Sequence, residues 1–94
     1  MVVGLLTLEL FFPDSHSLKG KRSLLRPLLG RIRRGWNVSA AEVGPHRDVW
    51  QRATLAVAAV NTDAAQAHAT LEAVAGAARD SPDLQLLDYS TEIL

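Results

Sequence analysis

Basic side chains are concentrated in one short segment of this chain. Seven of the ten Lys and Arg residues lie between positions 19 and 34. On a helix, which turns by about 100° per residue, four of these side chains fall within about 60° of one another. This basic stripe consists of Lys19, Arg22, Arg26 and Arg33. Guanidinium groups bind phosphate through paired hydrogen bonds, and a row of cations can follow a nucleic-acid backbone. The segment therefore predicts a nucleic-acid-binding surface, with Lys19, Lys21, Arg22, Arg26, Arg33 and Arg34 as its candidate residues.

A plainer interpretation is that these cations only solvate the outer face of an amphipathic helix. No aromatic residue interrupts the stripe, and the isoelectric point near 6.8 lacks the basic excess of many nucleic-acid-binding domains. The formal net charge of zero nevertheless conceals a separation of charge. Residues 1–53 carry nine basic and four acidic groups, whereas residues 54–94 carry one basic and six acidic groups. This separation would also allow two copies of the chain to attract each other.

A tryptophan lies between opposite charges at Asp48, Trp50 and Arg52. Alternate residues of a strand share one face, so the three side chains are expected together if this segment is a strand. Trp and Arg are frequent anchors of protein interfaces, and the pattern predicts an interaction surface. In the alternative interpretation, Trp50 closes one end of the core and Asp48 caps a loop.

No arrangement of reactive side chains predicts catalysis. The chain has no cysteine, and its three histidines are not at a metal-ligand spacing. His16 and Asp14 share a short loop with two serines, which is typical of a turn that caps a helix. We therefore expect a protein that is not an enzyme, with no catalytic residues, no metal site and no cofactor.

The elements that position these residues follow from hydrophobic periodicity. Strands are predicted over residues 2–12, 37–43, 50–60 and 84–94, and helices over residues 18–34 and 63–79. Ser17 is the expected N-cap of the first helix and Gly35 its left-handed C-cap. Pro27 lies within this helix and predicts a kink or a restart near residue 23. In the last strand Leu87, Tyr89, Thr91 and Ile93 are expected to share a face.

The order of elements, β-α-β-β-α-β, predicts an α+β fold of the ferredoxin-like type. Two helices would cover one face of a four-stranded antiparallel sheet, because elements this short cannot bury their apolar sides alone. The first strand has apolar residues on both faces, and Leu6, Leu8 and Leu10 share one of them. It is therefore expected in the middle of the sheet, with at least part of its second face covered. No linker or repeat interrupts the pattern, so residues 1–94 are predicted to form a single domain.

The apolar segments are too short to span a membrane, and no signal peptide is expected. Together with the absence of cysteine, these features favour a cytoplasmic location.

Three segments together resemble the YlxP-like family of small bacterial proteins. They are residues 17–22 (SLKGKR), residues 38–43 with Glu42, and residues 48–53 (DVWQRA). The positions that carry the resemblance are Ser17, Lys19, Lys21, Arg22, Glu42, Asp48, Trp50, Gln51 and Arg52. The resemblance implies a ferredoxin-like fold and no established activity. Members are often encoded near transcription and translation factors, which favours association with RNA or a ribosomal particle.

The leading hypothesis is thus an accessory protein that binds RNA or a ribosomal particle through its basic first helix. A second hypothesis is a homo-oligomer, most simply a dimer, that associates through the sheet face carrying Val3, Leu5 and Phe11. A third is a small-ligand regulatory domain, for which no glycine-rich ligand loop is present.

Overall fold

Four strands and two helices occur in the predicted order. In a computed structural model that describes residues 1–94, they are β1 (Val2–Phe11), α1 (Leu18–Gly35), β2 (Ser39–Val43), β3 (Arg52–Asn61), α2 (Ala64–Arg79) and β4 (Gln85–Ile93). The sheet has the strand order β2-β3-β1-β4, and every neighbouring pair is antiparallel. This is the predicted ferredoxin-like α+β architecture.

The alternation of side chains along β1 determines which face of the sheet is covered. Leu6, Leu8 and Leu10 have no exposed surface and lie in the core beneath the helices. The intervening residues of β1 are only partly buried, since the opposite face of the sheet has no covering layer. β1 is therefore central, as predicted, but no element covers its second face, which corrects the expectation that this face is partly covered.

β1 and α2 approach closely at a glycine. A Cβ atom at Gly4 would lie 2.8 Å from Cδ1 of Leu71 on α2, which is closer than carbon atoms tolerate. Leu71 is itself fully buried. The absence of a side chain at Gly4 thus allows the helix to pack directly on the central strand.

β4 differs from the simple alternation that the sequence predicts. Glu9 pairs with Asp88, but the next residue of β1, Leu10, pairs with Leu86, so Leu87 is the extra residue of a β-bulge. A bulge reverses the alternation on one side of it. Leu86 and Tyr89 therefore both pack against the core, whereas Leu87 is 49% exposed. The prediction that Leu87 shares a face with Tyr89 is wrong for this reason.

α1 is one uninterrupted helix. Ser17 is its N-cap, as predicted, and its hydroxyl accepts a hydrogen bond of 2.9 Å from the backbone N–H of Gly20. Pro27 lies on the exposed side, where water can satisfy the carbonyl that loses its helical partner, and the helix does not restart near residue 23.

The C-terminal end of α1 corrects the prediction for Gly35. The only residue with a positive φ is Gly44 (81°), so Gly35 is not a left-handed cap. The chain instead becomes extended at Trp36, whose N–H donates to the carbonyl of Ile32. This turn places Trp36 against the core, where it is partly buried.

Candidate nucleic-acid interface

Several of the exposed cations of α1 share one flank of the helix. The core side of α1 is formed by Leu25, Leu28 and Ile32, on a different part of the helix surface. Lys19, Arg22 and Arg26 are exposed and form no ion pair with any carboxylate of the protein. The same holds for Arg34, which lies farther round the helix. These four side chains are therefore exposed and not neutralised by a carboxylate of the protein.

The buried side of α1 contains a single cation, Lys21, which is 1% exposed. Its Nζ lies 2.9 Å from Oε2 of Glu42 on β2. The backbone carbonyls of His46, Arg47 and Arg52 lie 3.0–3.2 Å from the same nitrogen and share its other two N–H groups. Because its hydrogen-bonding capacity is used inside the protein, Lys21 cannot reach a phosphate, which corrects its assignment as a nucleic-acid-binding residue.

The contacts of Lys21 hold the β2–β3 loop, residues 44–51, against the start of α1. The loop is also tied to the segment that follows β1. Nε2 of Gln51 donates to the carbonyl of Pro13 at 3.2 Å, and the carbonyl of Gln51 accepts from the N–H of Phe12 at 2.8 Å. The loop is thus fixed at both of its ends, although it contains no regular secondary structure.

Arg33 connects the exposed cations to the edge of the sheet. Its Nη2 donates to the carbonyl of Ala40 on β2 at 2.6 Å, and the residue remains exposed. A guanidinium group has five N–H donors, so this hydrogen bond leaves several of them free. Arg33 therefore stays in the candidate set, and its contact places the cations beside β2. The four residues of the predicted basic stripe, Lys19, Arg22, Arg26 and Arg33, are called the basic flank from here on.

Arg31 lies on the other side of α1. It lines a hollow of about 180 Å³ with Leu24, Pro82 and Asp83, between α1 and the turn that precedes β4. It forms no ion pair. Arg31 is therefore an exposed arginine of the same helix that does not belong to the basic flank.

A polar hollow of about 500 Å³ adjoins the N-terminal end of the basic flank. It lies between α1 and the β2–β3 loop, and no hydrophobic side chain lines it. Lys21, Arg22 and Arg47 contribute cations to its lining, and Glu42 and Asp48 contribute carboxylates. The ammonium group of Lys21 is buried and paired with Glu42. Arg47 is exposed without an ion-pair partner, and the basic stripe predicted from helical spacing does not include it because it belongs to a loop.

Asp48, Trp50 and Arg52 are not arranged as the sequence predicts. β3 begins at Arg52, so Asp48 and Trp50 precede the strand and its alternation does not apply to them. Arg52 pairs with Glu9 on β1 at 3.4 Å, and Thr54 donates to the same carboxylate at 3.1 Å. No Arg–Asp pair flanks the indole, which corrects that prediction. Trp50 is 53% exposed and does not close the core.

The loop between β1 and α1 has a structural role in the start of the helix. Ser15 is buried and its hydroxyl donates to the carbonyl of Ser17, while the hydroxyl of Ser17 caps α1. His16 and Asp14 are exposed. No group of three His, Cys, Asp or Glu side chains is placed to hold a metal ion.

Residues 54–94 contain one basic residue, Arg79, and its side chain lies over an aromatic ring. The guanidinium of Arg79 lies 5.7 Å from the ring centroid of Tyr89, and the hydroxyl of Tyr89 donates to Glu72 at 2.9 Å. These contacts join α2 to β4. The helices of the protein include none that is both long and apolar enough to cross a membrane.

A comparison with solved structures agrees with this architecture. The de novo designed protein Foldit4 is similar in structure, with a TM-score of 0.52 and 12% sequence identity over 100% of this chain and 94% of that chain. The uncharacterized protein YlxP of Bacillus subtilis (strain 168) is 32% identical over 91 residues, which cover 97% of this chain and 98% of that protein. The family model described as "Protein of unknown function (DUF503)" matches residues 3–91, and the chain belongs to this family.

Proposed function

We propose that this protein acts by binding RNA, free or within a ribosomal particle, through the basic flank of α1. The observation that carries the proposal is that Lys19, Arg22 and Arg26 are exposed and lack ion-pair partners. Cations that are not neutralised within the protein remain available to phosphate groups. Release of the counterions that surround the nucleic acid would then favour binding.

The distribution of charge over the fold supports the same proposal. β2 and β4 are the opposite edges of the sheet, and the basic flank lies beside β2. α2 packs on β1, β3 and β4. The six acidic residues of the second half belong to α2, its flanking turns and β4: Asp63, Glu72, Asp80, Asp83, Asp88 and Glu92. The positive and negative sides are therefore separated, and the field of this neutral molecule would orient an approaching polyanion toward α1.

The test is the salt dependence of RNA binding. We would titrate the protein into a fluorescently labelled RNA hairpin and measure fluorescence anisotropy at several salt concentrations. Contact with about four phosphates predicts a slope of about −3 for the logarithm of the association constant against that of salt. Failure of the protein to bind the RNA hairpin at low salt would contradict the proposal.

A matched pair of variants separates the basic flank from a general effect of charge. Arg26→Glu and Arg31→Glu change the net charge equally and lie on the same helix, but only Arg26 belongs to the flank. Arg26→Glu is expected to weaken RNA binding about tenfold or more, and Arg31→Glu much less. Equal weakening by both variants would indicate that only the net charge matters.

A second candidate function is self-association through the open face of the sheet. Leu5, Ala56 and Ala58 line a shallow, mainly apolar hollow of about 230 Å³ on this face. Val60, farther along β3, is 59% exposed. Small side chains here would let the sheet of a second copy approach closely, which would remove this apolar surface from water.

Sedimentation velocity over a range of concentrations tests the second candidate. Ala58→Arg would place a charge on the open face and is expected to shift a dimer toward monomer. Gln66→Arg, on the exposed side of α2, adds the same charge and should leave the dimer intact. A wild-type protein that remains monomeric at every concentration would exclude this mode of association.

A further inference from the structure

Trp50 is a large apolar side chain that the fold leaves in water. It is 53% exposed, and its neighbour Val49 is 41% exposed. With Asp48 and Gln51 these residues line an open hollow of about 330 Å³. Exposure of an indole is unfavourable unless a partner covers it, so this surface is suited to a flat, apolar group.

The segment that carries Trp50 is held in place from both sides. Lys21 donates to the carbonyls of Arg47 and Arg52, which come shortly before and shortly after Trp50. The side chain of Gln51 is hydrogen-bonded to the carbonyl of Pro13. A ligand that stacks on the indole would therefore lose little free energy to the ordering of the loop.

The surroundings of Trp50 are continuous with the basic flank. Asp48 lines both the hollow beside Trp50 and the polar hollow that contains Arg22 and Arg47. Neither arginine has an ion-pair partner. The hollow beside Trp50 and the hollow that contains the two guanidinium groups thus share one lining residue, Asp48, although Trp50 and Arg22 come from a loop and a helix that are distant in the sequence.

We propose that Trp50 stacks on an unpaired base of the RNA while Arg22 and Arg47 bind the adjacent phosphates. This inference rests on the proposed function and specifies its ligand as RNA with single-stranded loops or ends. Bases within a duplex are already stacked on their neighbours and present no free face to an indole. Stacking on an aromatic side chain tolerates any base sequence, so the preference is for unpaired RNA and not for a particular sequence.

The experiment compares a single-stranded RNA of about 12 nucleotides with the duplex formed by the same strand and its complement. Trp50→Ala is expected to weaken binding of the single strand about tenfold and to leave duplex binding nearly unchanged. Trp50→Phe, which retains an aromatic face, should recover most of the loss. Leu87→Ala removes a similarly exposed apolar side chain from β4, at the edge of the sheet opposite β2, and serves as the matched control.

Each outcome has a distinct meaning. If the wild-type protein binds RNA with a steep salt dependence but Trp50→Ala binds both RNAs as well as wild type does, stacking is excluded and the proposed function stands. If Trp50→Ala weakened binding of the single strand and of the duplex by the same factor, stacking on unpaired bases would also be excluded. Failure of the wild-type protein to bind either RNA at low salt would overturn both proposals. The protein could instead capture a protein partner equally well at low and high salt. If Trp50→Ala abolished that capture, the surface around Trp50 would be a protein interface and the stacking proposal would be wrong.

Discussion

The ammonium group of Lys21 lies 2.9 Å from the carboxylate of Glu42, across the boundary between α1 and β2. The side chain of Lys21 is 2% exposed and that of Glu42 is 20% exposed. A buried charge is tolerated when it is paired and its remaining hydrogen bonds are made, and three backbone carbonyls share the two N–H groups of Lys21 that Glu42 does not use. One cation of the basic segment is therefore used to hold the fold together, while its neighbours Lys19 and Arg22 remain free.

Replacement of Lys21 by Met should destabilise the protein. The change leaves the carboxylate of Glu42 and three carbonyls without their donor, so the free energy of unfolding should fall by about 3 kcal/mol. Urea denaturation followed by circular dichroism measures this quantity. Lys19→Met is the matched control, since Lys19 is exposed, and it should change stability by less than about 0.5 kcal/mol. Similar losses in both variants would contradict the structural role of Lys21.

The position of Lys21 could have been recognised from the sequence, but its partners could not. Lys21 precedes Leu25 by four residues and Leu28 by seven, so helical spacing places it on the buried stripe. A lysine at a buried position of an apolar stripe is unusual, so its position alone marks Lys21 as a residue with a structural role. Its acceptors lie 21 to 31 residues farther along the chain, and only the tertiary structure brings them together.

The strands illustrate the same division between local and long-range information. Alternation along β1 correctly predicts a core of Leu6, Leu8 and Leu10, because the period of a strand is a local property. The bulge at Leu87 arises from pairing with β1 and has no distinct local signal. The start of β3 at Arg52 likewise depends on how the preceding loop is bound, so the face that Arg52 was expected to share with Trp50 does not form.

Substitution of Gly4 by Ala should test the close contact between β1 and α2. The added methyl group would lie 2.8 Å from Leu71, and overpacking of a core costs about 1–3 kcal/mol. Gly76→Ala is a control within α2, because nothing lies within 4 Å of its Cβ position. It should stabilise the helix by about 0.5–1 kcal/mol. Thermal and urea denaturation of both variants would show opposite shifts, and stabilisation by Gly4→Ala would contradict the observed packing.

Gly44 is expected to resist substitution because of its backbone conformation. Its φ of 81° is the only positive value in the chain, and a Cβ atom there would also lie 3.3 Å from Thr54. Gly44→Ala should therefore lower the free energy of unfolding by about 1 kcal/mol or more. Gly35→Ala offers a comparison, since Gly35 has no positive φ and no atom within 4 Å of its Cβ position. If Gly44→Ala and Gly35→Ala had the same free energy of unfolding, the positive φ at position 44 would not restrict the residue there, and the prediction would be wrong.

Removal of the negative charge at Asp48 should strengthen RNA binding, if the polar hollow lies at the interface as proposed. Asp48 is exposed, has no ion-pair partner and lines the hollow with Arg22 and Arg47. Asp48→Asn keeps the size of the side chain but removes its repulsion of phosphate, so affinity at low salt should rise about twofold to fivefold. Fluorescence anisotropy with both single-stranded and duplex RNA measures the gain, because Asp48 also adjoins Trp50.

The matched control for this charge change is Asp83→Asn, which removes a carboxylate beside Arg31, away from the basic flank. Its effect on affinity should be smaller than that of Asp48→Asn, since Asp83 does not line the polar hollow and salt screens its charge from the proposed interface. Equal gains from the two variants would reveal a general effect of net charge. Weaker binding by Asp48→Asn would show instead that the carboxylate of Asp48 contacts the RNA favourably, for example by accepting a hydrogen bond from a base or a ribose hydroxyl.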